Sequence, residues 1–319
     1  MNTIKGLIAG AIAALGVATL TQADELRIST PTPPPHIFTK TANHMAEALA
    51  SSSQDDTLAV FPVNKLGNVP TVLSLLQSGA LEMAVVPVGD LANRDPAFLA
   101  WFLPYQFENL AEAGAAAQSA PAREMLDRLE RQGLVGLGYV FPGQRHVLSK
   151  SEITDASDLS GLKIRAFPND IFSAWWREVD AAPTALPLPE IMPSLVTGVI
   201  DAVDVDLDIV MGLKMFEQAP NLIMTNHMSF PGAILASKQW WDGLSAEDQA
   251  NIESIVSDST AWALEAQIKT EAALPGVLAD NGANVTTIDD AALRTAGAAV
   301  TEAFLERDPM IKTFYDANR

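Results

Sequence analysis

Leu75-Leu-Gln-Ser-Gly79-Ala-Leu-Glu-Met-Ala-Val-Val86 is matched later in the chain by Ser194-Leu-Val-Thr-Gly198-Val-Ile-Asp-Ala-Val203. Each segment reads as the end of a helix, a glycine cap, and a short apolar strand carrying one acid. Glycine suits the cap because the left-handed backbone costs it nothing. One helix-to-strand unit used twice, about a lobe apart, predicts two similar α/β lobes. The flanking sequence agrees. Glu25 to Ser29 and Leu58 to Phe61 read as strands, with a helix from Phe38 to Ala50 between them. Leu110 to Arg131 has helical periodicity with a polar face. Gly136 to Phe141 and His146 to Ser149 read as strands suited to crossing between lobes. Phe172 to Val179, Pro189 to Thr197 and Leu293 to Leu305 read as helices. Ser245-Ala-Glu-Asp248 is a capping box that opens a long helix towards Pro275, long enough to brace both lobes. Alternating strands and helices give mixed sheets. A cleft between two lobes is a common place for a small-molecule site.

The N-terminus reads as an export signal. Lys5 precedes the apolar run Gly6 to Leu20, and Thr21-Gln22-Ala23 ends in small-residue cleavage chemistry. Cleavage after Ala23 is expected, and no later segment is apolar for long enough to span a bilayer. The chain lacks cysteine, which excludes disulfides, thiolate metal sites and a cysteine nucleophile. Its formal charge is −19 at pH 7 over 319 residues, and losing the signal removes one lysine and no acid. Such a surface repels nucleic acid and anionic lipid. An anionic ligand must then be drawn in by local arginines against the global field.

Asp158-Leu-Ser-Gly-Leu-Lys-Ile-Arg165-Ala-Phe167 places one arginine at the end of a short strand. α/β proteins put their ligand crevice outside strand carboxyl ends. A guanidinium there presents a planar fork matched to a carboxylate. Phe167 and Phe230 are candidates for the walls of the pocket, whereas Trp175 and Trp176 suit the core.

Together, Phe61-Pro-Val-Asn64-Lys-Leu-Gly67, Leu75 to Met83, Phe102-Leu-Pro-Tyr105, Gly143-Gln-Arg145, Asp158 to Arg165, Ala182-Pro-Thr184, Thr197 to Asp201 and Thr225-Asn-His227 resemble one family. It is the DctP-like extracytoplasmic solute-binding proteins of TRAP (tripartite ATP-independent periplasmic) transporters, and the likeness covers nearly all of the mature chain. The resemblance implies a two-lobed periplasmic binding protein fold with a hinge, mixed sheets in each lobe and a long helix spanning both. On that pattern residues 24–142 plus 231–270 form the first lobe, and 143–230 plus 271–319 the second. It implies a periplasmic protein that captures a small organic acid and delivers it to membrane permease subunits. A monomer is the default expectation, with no cofactor and no metal although some relatives hold their acid through a cation, and the acidic surface argues against nucleic acid. The family's carboxylate clamp carries over onto Arg165, and the assisting arginine onto Arg145.

The departures concern specificity. Where many relatives read Asp-Gly-Gln-Glu-Asn-Pro, this chain has Asp201-Ala-Val-Asp204-Val205-Asp206. Val205 replaces an asparagine that often contacts the ligand, and Asp204 keeps an acid. The loops Thr30 to His36 and Val86 to Gly89, which include Pro87, carry little charge. With Asn64, Val205, Pro87, Phe230 and Asp204 added to Arg165, Arg145 and Phe167, the expected site clamps a carboxylate on one side and is apolar on the other. This favours a monocarboxylate or keto acid over a sugar acid, which needs many polar partners. The acids around Asp206 also suit a zwitterion whose cation lies near an acid or an aromatic ring. A receptor that presents its ligand to a membrane sensor fits the same residues. An exported hydrolase or isomerase built on His36 or His227 with Asp204 is disfavoured. The chain has neither a Gly-x-Ser-x-Gly elbow nor a His-Glu-x-x-His motif, so no catalytic residue is assigned.

Overall fold

The computed structural model describes residues 25–52 and 56–319. The export signal and the cleavage point after Ala23 lie outside the described residues. Among the described residues no helix is long and apolar enough to cross a membrane.

The first sheet contains β1 (Glu25–Ser29), β2 (Thr57–Phe61), β3 (Met83–Pro87), β4 (Leu134–Val140) and β10 (Gly232–Ser237). The second contains β5 (His146–Ser149), β6 (Lys163–Ala166), β7 (Ala182–Ala185), β8 (Ala202–Val205), β9 (Asn221–Ile223) and β11 (Asn284–Thr286). Their orders are β2-β1-β3-β10-β4 and β11-β9-β5-β8-β6-β7. In the first sheet β1 runs parallel to both β2 and β3, and β10 is antiparallel to β3. In the second, β6 runs parallel to both β7 and β8, and β5 is antiparallel to β8. The two lobes thus share one plan, as the repeated segments predict. Gly79 and Gly198 both adopt left-handed φ, +73° and +75°, just before β3 and β8. Each lobe borrows its antiparallel strand across a crossing between lobes, β10 returning from the second and β5 arriving from the first.

Two chain segments make those crossings side by side. Arg145 N–H donates to Met228 O at 2.7 Å, and His227 N–H donates to Arg145 O at 3.2 Å. The long helix, Ala246–Asp280, is the third link. Ile252, Ile255 and Val256 pack in the first-lobe core, while Leu274 and Leu278 pack in the second. At about 1.5 Å per residue it reaches across both lobes. It continues five residues past Pro275, because burial of Leu278 holds the last turns although proline lacks the N–H that a helix uses. Ser245 caps it, with Oγ accepting from Asp248 N–H and donating to the Asp248 carboxylate.

The segment expected to be one helix from Leu110 to Arg131 is instead Leu110–Ala116, Ala120–Asp127 and a 3-10 turn, Arg128–Gln132. Ser119 caps the second piece and Pro121 follows, a start signal that overrides the apolar periodicity. Trp175 and Trp176 are fully buried in the core. The C-terminal helix, Pro309–Ala317, packs on the 3-10 helix Pro96–Phe102, bringing Phe314 to 4.6 Å from Trp101 between ring centres.

Candidate functional site

A cavity of about 570 Å³ lies between the lobes, at the carboxyl ends of corresponding strands. Residues at or beyond the ends of β1, β2 and β3 line one side: Thr32, Asn64, Pro87 and Asp90. Residues at the ends of β6, β7 and β8 line the other: Arg165, Phe167, Pro187, Val205 and Asp206. Arg145 and Phe230 reach it from the two crossings. The lobes meet at its edge. Asn169 donates to Gly89 O at 3.1 Å, Asn93 to Pro168 O at 3.1 Å, and Ile37 N–H to the Asp208 carboxylate at 3.0 Å.

The two arginines differ sharply in their surroundings. Arg145 donates from Nε to Asp204 Oδ1 at 2.5 Å and from Nη1 to Asp206 Oδ2 at 3.3 Å. Its Nη2 donates to the Asp204 backbone carbonyl. Two carboxylates therefore neutralise it. Arg165 donates only to carbonyls, Leu186 O at 2.9 Å from Nε and Asp204 O at 3.2 Å from Nη1. No described carboxylate forms an ion pair with it, and its Nη2 makes no hydrogen bond to described residues. Arg165 is 3% exposed. Burial, with Arg145 adding repulsion, pushes its pKa down to about 9, so it stays charged at neutral pH. The result is a desolvated cation with donors to spare beside the Phe167 ring, whose centre is 5.6 Å away. Such a group suits an incoming carboxylate.

Of the residues singled out in the sequence, Arg165, Arg145, Phe167, Val205, Asn64, Pro87 and Phe230 line the cavity together. Asp204 is absent from the lining. Side chains alternate along β8, so Val205 faces the cavity and Asp204 turns to the core. There its carboxylate accepts from Trp176 Nε1 at 2.9 Å and sits 3.5 Å from His227 Nε2. Burial alone would raise Asp204, but Arg145 and these two donors outweigh it and hold the carboxyl below the usual range. His227, stacked against Trp175, lies in the same buried knot and not on the cavity.

Asp206 caps the helix Leu207–Gly212, accepting from Ile209 N–H at 3.0 Å, and faces His36 Nε2 at 3.7 Å. The first-lobe side is more polar than its loops suggest. Asp90 stands one residue beyond the uncharged Val86 to Gly89 stretch, and Asn68 and Asn93 join Asn64 on the lining. That side is not the apolar face expected from the sequence, and it offers polar partners to a ligand hydroxyl.

Above the cavity the long helix grips the first crossing. Gln267 Nε2 donates to Pro142 O at 2.7 Å, and Glu271 Oε1 accepts from Gln144 N–H at 2.5 Å. Burial, with Asp206 and Asp208 nearby, pushes Glu271 up to about 7 against the pull of the Gln144 bond. An acid raised on folding binds more protons in the native state than in the unfolded one. Its ionisation therefore costs stability as pH rises from the ordinary glutamate range to about 7. Glu271→Gln keeps the acceptor and removes that cost. Its melting midpoint should exceed the parent's by about 2–4 °C above pH 7 and match it near pH 4, read by thermal unfolding across pH. Equal midpoints at every pH would refute the assignment.

The chain resembles known proteins along most of its length. A family profile described as DctP, bacterial extracellular solute-binding protein family 7, matches residues 28–308. The C4-dicarboxylate-binding periplasmic protein DctP of Rhodobacter capsulatus is 27% identical over 222 residues, covering 69% of this chain and 66% of that protein. The ectoine/5-hydroxyectoine-binding periplasmic protein UehA of Ruegeria pomeroyi is 27% identical over 252 residues, 77% of this chain and 74% of that one. A TRAP periplasmic solute-binding protein of Bradyrhizobium, solved with galacturonate, superposes with a TM-score of 0.86 at 26% identity, covering 92% of this chain and 99% of that chain.

Proposed function

The chain belongs to the DctP family, bacterial extracellular solute-binding protein family 7, and we propose that it is a TRAP receptor for a small monocarboxylate, a keto or hydroxy acid. The ligand lies in the cavity between the lobes with its carboxylate on Arg165, and the closed form delivers it to the membrane permease. The observation that carries this reading is the contrast between the two arginines. Arg145 is already matched by Asp204 and Asp206, whereas Arg165 forms no ion pair with a carboxylate among the described residues. One unmatched cation calls for one carboxylate. A dicarboxylate, such as the Rhodobacter relative is named for, would need a second.

Apolar closure supplies the remaining affinity. A charge-assisted pair contributes roughly 1.5–3 kcal/mol, whereas micromolar binding needs about −8 kcal/mol. Phe167, Phe230, Val205 and the prolines of the lining supply apolar surface around the anion. The Asp90 carboxyl supports a second reading, a zwitterion with its cation on that side of the cavity.

A thermal-shift screen of the refolded, ligand-free chain tests the proposal. Monocarboxylates, keto acids, dicarboxylates, sugar acids and zwitterions are compared. A ligand at 100 times its Kd stabilises by about 2.7 kcal/mol, so a bound class stands out as a raised midpoint. Small keto or hydroxy monocarboxylates of the size of pyruvate and lactate should give the largest shift. A larger shift with dicarboxylates or galacturonate would overturn the preference, and none with any acid would overturn the Arg165 clamp.

A further inference from the structure

Asp90 lies in the first turn of the short helix Val88–Ala92, directly after β3, and its side chain lines the same cavity as Arg165. No hydrogen bond or ion pair engages its carboxyl among the described residues. The charges that act on it are Arg165 and Arg94. The elements packed against its helix, β3 and the 3-10 helix Pro96–Phe102, carry no titratable side chain. The other ionisable groups on the lining are Arg145, His36, Asp206 and Glu190. Arg145 and Asp206 are already paired, and Asp206 faces His36.

The charge balance changes when an anion enters. In the free cavity Arg165 is the cation that favours ionised Asp90. A ligand carboxylate on Arg165 cancels that attraction and adds a negative charge in a space walled by Pro31, Pro87, Phe167 and Phe230. Two carboxylates sharing one unmatched cation in a poorly solvated site cannot both stay ionised cheaply, so one takes a proton. Asp90 is the one with no donors holding its charge.

Resting on the reading that the ligand's carboxylate occupies Arg165, we propose that Asp90 is a specificity-determining acid that takes up a proton as a monocarboxylate binds and donates its O–H to a second oxygen of that ligand. The proton comes from solvent, and no covalent bond to the ligand forms or breaks. This selects acids with a keto or hydroxyl oxygen that can accept, and it selects against a ligand ammonium. Burial, opposed by Arg165 and Arg94, already pushes Asp90 up to about 7 without ligand, and the ligand's charge on Arg165 raises it further. Capture then weakens as pH rises above that value, approaching tenfold per pH unit.

Two measurements test this. The first needs no ligand. A carbon NMR titration of the side-chain carboxyls, with Asp90→Asn to assign the resonance, should place the Asp90 midpoint near neutrality. A midpoint near 4 overturns the proposal. The second is calorimetry with pyruvate and lactate at pH 8 in buffers of different ionisation enthalpy. The parent should take up close to one proton per ligand, and Asp90→Asn should take up none, with a Kd that no longer varies with pH. Binding of either acid without proton uptake would overturn the proposal, whatever Asp90→Asn does to the affinity. If neither acid binds, the Arg165 reading fails for this ligand class and the proton-linked role falls with it. The ligand-free titration still separates that failure from an error about Asp90 itself.

Discussion

Arg165→Ala is expected to weaken monocarboxylate capture by roughly 10²- to 10³-fold, with the stability of the ligand-free chain little changed. Truncating one side of a buried, hydrogen-bonded charge pair costs about 2–5 kcal/mol, and each ~1.4 kcal/mol is tenfold in Kd. The unchanged stability follows from the surroundings of Arg165. Its guanidinium is buried, touches two carbonyl oxygens and forms no ion pair with a described carboxylate. The folded protein therefore gains little by holding it there without ligand. Arg165→Lys should recover only part of the affinity, because an ammonium is a point charge and cannot match both carboxylate oxygens as a planar fork does. Isothermal titration of the acid that gives the largest thermal shift reads the first effect, and denaturant unfolding reads the second. An unchanged Kd would remove Arg165 from the site. A large loss of stability would mean that its role in the free protein is structural.

The two-lobe plan was legible because local chemistry and tertiary position agree. Gly79 and Gly198 need left-handed backbone whatever surrounds them, and the strands that follow are short apolar runs that only a sheet interior satisfies. Arg165 was legible for a similar reason, since the end of a parallel strand is where such folds open. Asp90 was missed because the first-lobe loop was read only as far as Gly89. An acid three residues beyond Pro87, in the first turn of a helix that begins where β3 ends, was the available signal. The contacts that join the lobes were beyond sequence reading. Asp208 meets Ile37 across 171 positions, and nothing local to either residue specifies the other. Asp204 was read with the cavity because it keeps the acid of the segment that relatives place at the ligand. The alternation of β8 and the placement of Trp176 and His227 behind it decide otherwise.

Asp204→Ala should destabilise the chain by about 3–5 kcal/mol, the cost of leaving a buried ion without its partner. The magnitude reflects the groups Asp204 satisfies at once, namely Arg145 Nε and the Trp176 indole N–H, with His227 Nε2 3.5 Å away. It also reflects what the carboxylate separates. With Asp204 gone, Arg145 and Arg165 face each other across a desolvated space with Asp206 and Asp90 left to offset them. Asp204→Asn keeps an acceptor for the indole and should cost less, so the difference between the two variants isolates the side-chain contacts from the charge. Adding Arg145→Met to Asp204→Ala removes the stranded cation and should recover part of the loss, because an apolar side chain of similar length refills the space. Urea unfolding of the parent, Asp204→Ala, Arg145→Met and the double variant reads these effects as one double-mutant cycle. The single variant carries a further signature. Sulfate should raise the melting midpoint of Asp204→Ala more than that of the parent, since an anion can stand in for the missing carboxylate between the two guanidinium groups. A loss under about 1 kcal/mol, or additive effects in the cycle, would mean that the Arg145–Asp204 pair is a weak contact and that the matched-versus-unmatched contrast between the two arginines does not govern the cavity.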